Sequence, residues 1–172
     1  MARLFEILTS NVESWAQLGH PSLLERFVLR NGKPYSPGPR KGLKGPAKQC
    51  YMNAAKVVMC DADASAYVEG FVVIKDLPIP ILHAWVSYDG ETVMDPTLDS
   101  ANREYFGVSF TRRELVSELR KTKVYGLLDT GRGFNADLMF RRDPELKAIC
   151  NGVKAARGVV TQRKLAELHT TS

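Results

Sequence analysis

Cysteine and histidine are both scarce in this sequence, three of each in 172 residues. Cys50, Cys60 and Cys150 are too few, and odd in number, for a disulfide framework. No two of them stand at CxxC spacing, and the histidines are scattered, which excludes the usual zinc patterns. No apolar run is long enough for a membrane-spanning helix. The opening MARLFEILTS turns polar at Asn11, Glu13 and Gln17 and shows no small-residue cleavage site, so no secretory signal is expected. Internal repeats and low-complexity tracts are lacking too, and nothing marks a boundary that would split the chain.

What is present fits a folded domain. Hydrophobic residues make up 44% and charged residues 25%, which rules out a disordered or fibrous chain. The length suits a single domain over 1–172 with a real core. Unpaired thiols point to a reducing compartment, so a cytoplasmic location is expected. The net charge of +5 reads first as a solvated basic surface. Lys33, Arg40, Lys41, Lys44 and Lys48 gather in the Gly/Pro-rich stretch 32–48, which reads as a loop. It lacks the Gly-Lys-Ser/Thr ending of a phosphate loop. The basic residues have no interleaved aromatics, so nucleic acid is not expected as a partner.

Periodicity sets the elements. Leu4, Phe5, Leu8, Val12, Trp15 and Leu18 recur at helical spacing, and His20-Pro21 is expected to end that helix. Ser22 is a candidate cap for a short helix, followed by a turn or hairpin at Asn31-Gly32. QCYMNAAKVVMC reads as a helix, with Gly45-Pro46 setting its start and Cys50 in or just before its first turn. AYVEGFVVI is a strand by composition, and KDLPIP a proline-bearing connection. ILHAWVSY is a second strand, Asp89-Gly90 a turn, and ETVMDPT a short third strand, giving an antiparallel meander. Thr111 and Glu114 form a capping-box pattern. VYGLLDTG reads as a strand, Asp143-Pro144 opens a late helix, and 159–169 reads as helical.

Three residues carry chemistry. A thiol attacks only as thiolate, and a helix N-terminus favours that form, which singles out Cys50 over a cysteine merely packed in a core. Cys60 and Cys150 read as packing residues. His83 lies on a strand among apolar neighbours, where an isolated histidine is often a satisfied core group. Asp95 begins an Asp-Pro turn. Alone, none of the three outweighs its plain structural role. In order on helix, strand and strand, they supply nucleophile, base and orienting carboxylate. The Asp89-Gly90 turn lays Asp95 nearly opposite His83, to within a residue or two. Trp85 shares the face of His83 and is a candidate shield for the pair. The oxyanion of an acyl-transfer step needs donors. The Cys50 N–H is the first candidate, the Gln49 side chain a second, and Asn31 or Tyr35 stand upstream.

The segments AKQCYMNAAKVV, AYVEGF and LHAWVSYDGETVMDPT resemble the transglutaminase-like core of the papain-like cysteine peptidase superfamily. The resemblance covers about 45–98 and places Cys50 as nucleophile, His83 as general base and Asp95 as orienting acid. Val68, Gly70, Trp85, Pro96 and Thr97 match structural positions around them. Gln49 stands where many members carry glycine near the nucleophile. The resemblance implies an α+β fold, a nucleophile helix packed on an antiparallel sheet, with flanking N- and C-terminal helices. It implies a thiol hydrolase (peptidase, amidase or deamidase) working through a thioester, with no cofactor or metal. Its substrate would be a protein, a peptide or a small amide. Two alternatives stay open: acyl transfer to an amine at the same site, and an inactive binding module that engages an acidic partner through Arg40, Lys41, Lys44 and Lys48.

Overall fold

The computed structural model describes residues 2–42, 44–75 and 77–155. The fold is α+β: one five-stranded sheet with helices packed on it. Helix α1 (Ala2–Gln17) buries Leu4, Leu8 and Val12, a stripe at spacing four, and leaves Phe5, Trp15 and Leu18 exposed. It ends earlier than Pro21 requires. Gly19 takes a left-handed φ of 71°, which a side chain would resist, and His20 N–H donates back to the Trp15 carbonyl. Helix α2 (Leu23–Asn31) follows, but Ser22 does not cap it; its backbone is left-handed and its side chain makes no capping bond.

Residues 33–37, expected as loop, form strand β1 (Lys33–Pro37). After loop 38–49 comes helix α3 (Cys50–Cys60), which buries Ala54, Ala55 and Val58. Strand β2 (Ala66–Ile74) lies where its composition put it. Strand β3 (Leu77–Ser87) starts inside the expected connection and carries Pro78 and Pro80 on an edge of the sheet. Val86 N–H points away from β2 to the Met94 carbonyl, so every second residue of β3 faces that outer edge. Pro78 and Pro80 lie where the β2–β3 register shifts, between the Val72–Ile81 and Ile74–Leu77 pairings, an irregular edge that tolerates proline. The expected third strand shrinks to β4 (Thr92–Val93), which pairs in parallel with β1.

The central strand β5 (Arg103–Phe110) was unassigned in the sequence. It lies between β2 and β1 in the order β3-β2-β5-β1-β4. Edge strand β3 meets the residue that follows β4: Val86 and Met94 exchange backbone hydrogen bonds of 3.0 and 2.8 Å. Alternation along the strands then fills two cores. One face carries Tyr67, Phe71, Val73, Ala84, Val86 and Phe110 against the helices. The inner face carries Tyr35, Val68, Val72, Trp85, Val93 and Tyr105.

Helix α4 (Arg112–Thr122) has both halves of its capping box, Thr111 and Glu114. The expected strand 124–130 is irregular backbone that ends in an isolated bridge, Asp129 with Phe134. A buried carboxylate holds it. Glu69 accepts backbone N–H bonds from Leu127, Leu128 and Asp129 at 2.7 to 2.9 Å, and the Tyr67 hydroxyl at 2.9 Å. With four donors on one carboxylate, Glu69→Gln sets an amide NH₂ against N–H groups. It should cost about 2–4 kcal/mol of stability in chemical denaturation. Helix α5 (Ala136–Arg142), unforeseen, precedes a sixth helix over 144–155, whose first turn the Asp143 side chain caps through Leu146 N–H. The helix expected at 159–169 lies outside the described residues. Among those described, no helix is long and apolar enough to cross a membrane.

Candidate active site

Cys50 opens α3, half-buried, at the end of loop 38–49. It stands in the first helical turn, at the end of the helix where backbone N–H groups have no intrahelical partner. Two ties fix where that turn sits. Asn53, one turn on, donates through Nδ2 to the Pro46 carbonyl at 2.8 Å and to Thr97 Oγ1 at 2.9 Å. Gly45 N–H donates to the Pro96 carbonyl at 2.7 Å. The loop before the thiol is therefore fastened to the segment that carries Asp95. Gly45 is small of necessity, because a Cβ there would lie 2.5 Å from the Asn53 side chain.

His83 and Asp95 meet. His83 Nε2 lies 2.7 Å from Asp95 Oδ2, and both residues are buried, at 3% and 1% exposure. The Val86–Met94 bridge sets Asp95 opposite Trp85, so the contact runs diagonally, two residues off direct facing. Cys50 lies near enough to the same ring to raise its pKa. With Nε2 given to Asp95, Nδ1 is the nitrogen left for the thiol. Burial works against a charged imidazole here. The bond to Asp95 and the nearby Cys50 overcome it and raise the His83 pKa to about 9. Burial likewise opposes the Asp95 charge, yet His83 and the N–H groups of Leu98 and Thr97 hold that carboxyl below its ordinary range.

Asp95 is gripped on all sides. Its Oδ1 accepts Thr97 N–H at 2.8 Å and Leu98 N–H at 2.9 Å; its Oδ2 accepts the Tyr105 hydroxyl at 2.9 Å besides His83. Arg40 holds the backbone of the same turn, donating to the carbonyls of Asp95 and Leu98 at 3.2 and 3.0 Å. Tyr105, Asn53 and Arg40 were not singled out as site residues. Tyr105 comes from the unassigned strand β5, and Arg40 had counted only as one of a basic cluster.

The other candidates divide. Trp85 stacks on the His83 ring at 6.4 Å between centroids, is fully buried, and closes the inner face beside the pair. Room for it comes from Gly107, where a Cβ would lie 2.6 Å from the indole. Gln49 is exposed at the start of α3 and makes no capping bond. Asn31 is turned elsewhere: its amide donates to the Phe27 carbonyl and to Asp143. Tyr35 is buried edge-on against Trp85 on the inner face. Cys150 is buried, as expected, but Cys60 is exposed at the end of α3 rather than packed. Of the four basic residues, Arg40 is spent on the Asp95 turn and Lys41 sits 3.9 Å over the Tyr88 ring. On the other side of Cys50, the Tyr51 hydroxyl reaches Asp129 at 3.3 Å, which sets segment 125–129 beside the first turn of α3.

Comparison with known proteins finds no matching family model, no matching curated protein and no matching solved structure.

Proposed function

We propose that this chain is a cytoplasmic thiol-dependent hydrolase with a transglutaminase-like core, acting on an amide or ester of a peptide, protein or small molecule through Cys50, His83 and Asp95. What supports the reading is one imidazole placed between two groups: Asp95, 2.7 Å from Nε2, and the Cys50 thiol at a helix start, near enough to raise the ring's pKa. A core histidine needs one partner, whereas nucleophilic catalysis needs both.

The chemistry follows from the arrangement. His83 takes the Cys50 proton and the sulfur attacks the substrate carbonyl carbon. The oxyanion that forms takes the Cys50 N–H, with the exposed Gln49 side chain, the preceding residue, as second donor. Collapse breaks the bond to the leaving group, which departs with the proton held by His83, and leaves a thioester on Cys50. Water then gives His83 a proton, attacks the thioester and releases the acid. An amine in place of water yields a new amide, so hydrolysis and acyl transfer differ only in the second nucleophile. Because His83 titrates near 9, it keeps the proton a leaving group needs across neutral pH. Turnover should fall as pH rises through about 9.

The test is to expose the chain to activated esters and small amides and follow intact mass. The expected result is an acyl adduct on Cys50 that decays with water and faster with added amine. An adduct on Cys60, or none on Cys50, contradicts the reading.

A further inference from the structure

We propose that Tyr105 is a positioning residue of this site: its hydroxyl holds the Asp95 carboxylate in the orientation that serves His83 and limits how tightly that carboxylate grips the imidazolium. The inference rests on the reading of Cys50, His83 and Asp95 as one centre.

A carboxylate has two oxygens and about four lone-pair directions. At Asp95 four donors fill them: two backbone N–H groups on Oδ1, and His83 and Tyr105 on Oδ2. Oδ1 is fixed by the turn itself. Oδ2, the oxygen that meets the imidazole, has Tyr105 as its other partner, and β5 supplies it from across the sheet. Asp95 lies beyond the last residue of β4, so no ladder fixes it. Tyr105 itself is rigid. It is 1% exposed and packs edge-on against Trp85 at 5.1 Å and tilted against His83 at 6.4 Å.

The hydroxyl remains a donor throughout the working range, because burial and the neighbouring Asp95 charge raise its pKa. A donor shared on Oδ2 draws charge from the oxygen His83 uses. Remove it, and Oδ2 turns wholly to the imidazolium, which then holds its proton more tightly. The other groups facing this cluster are Cys50 from α3, Arg40 from loop 38–49, and Arg103 and Asp99 beside Tyr105.

The experiment is a pH titration of the His83 ring by NMR in the full chain, wild type and Tyr105→Phe, with His20 as internal reference. The His83 midpoint should rise by about half to one pH unit in the variant while His20 stays fixed. Should Tyr105→Phe fail to fold, 3-fluorotyrosine labelling serves instead. A more acidic phenol donates more strongly, and the His83 midpoint should then fall. An unmoved midpoint alongside a lower melting temperature overturns the proposal and leaves Tyr105 a core residue. Failure of the functional reading shows elsewhere, as a Cys50 that never acylates although the His83 midpoint still moves.

Discussion

Cys50→Ala should remove acyl-adduct formation and turnover, a loss of at least about three orders of magnitude, and leave the fold standing. Both halves follow from where the residue sits. Cys50 is half-buried at the helix start and belongs to neither apolar core. Alanine keeps the helix and is the best helix former, so the melting temperature should change little. The sulfur is the one atom the substitution deletes, and the remaining site has an imidazole and a carboxylate with nothing to acylate. Intact mass and leaving-group release check the first half, and a thermal melt the second. Turnover above a tenth of wild type would remove Cys50 from the chemistry.

Asp95→Asn should show the second-largest effect, on rate and stability together. Four donors converge on Asp95 in a site 1% exposed. An asparagine keeps one acceptor oxygen and presents an NH₂ to the rest. If the oxygen stays with the backbone of Thr97 and Leu98, the NH₂ opposes His83 and Tyr105, and the ring flips its tautomer away from the thiol. The rate should drop by about 10²–10⁴-fold. The unmatched donors should cost about 2–4 kcal/mol in chemical denaturation. Asp95→Ala should be no milder on rate, because the damage lies in losing the orienting acceptor. A variant with normal kcat/KM and lowered stability would make Asp95 a structural anchor of its turn.

How much of this was legible in the sequence depended on whether the signal was local. β2, α3 and the capped α4 were readable, because composition, spacing and a Thr-x-x-Glu box lie within each segment. β5 was not. A strand in the middle of a sheet with cores on both faces buries Tyr105, Phe106, Val108 and Phe110 alike and shows little alternation. Segment 124–130 misled for the opposite reason. Its apolar Leu127 and Leu128 are buried, but their N–H groups go to the Glu69 side chain instead of a neighbouring strand. The two prolines near 79 suggested a connection, and a register shift on an edge strand made room for them.

The site was readable in the same uneven way. Cys50, His83 and Asp95 came from short motifs, and the hairpin turn brought the last two within reach before any coordinates. Their diagonal offset required the Val86–Met94 bridge. Tyr105, Asn53 and Arg40 act across ten to fifty-five positions of chain, where no motif links them to the residues they hold. Asn31 does not serve as an oxyanion donor because α2, once formed, commits its amide to Phe27 and Asp143.

The central claim is that His83 activates the Cys50 thiol, and alkylation by iodoacetamide measures it without any substrate. The rate is followed at each cysteine from pH 5 to 10, in wild type and in His83→Ala. Exposed Cys60, with no imidazole bonded to it, serves as the ordinary thiol in the same molecule. The account predicts that Cys50 reacts well below pH 8 with a rate nearly level through neutrality. In His83→Ala the Cys50 rate should fall, and its pH profile should come to coincide with that of Cys60. A Cys50 whose rate profile coincides with that of Cys60, and which His83→Ala leaves unchanged, would contradict it.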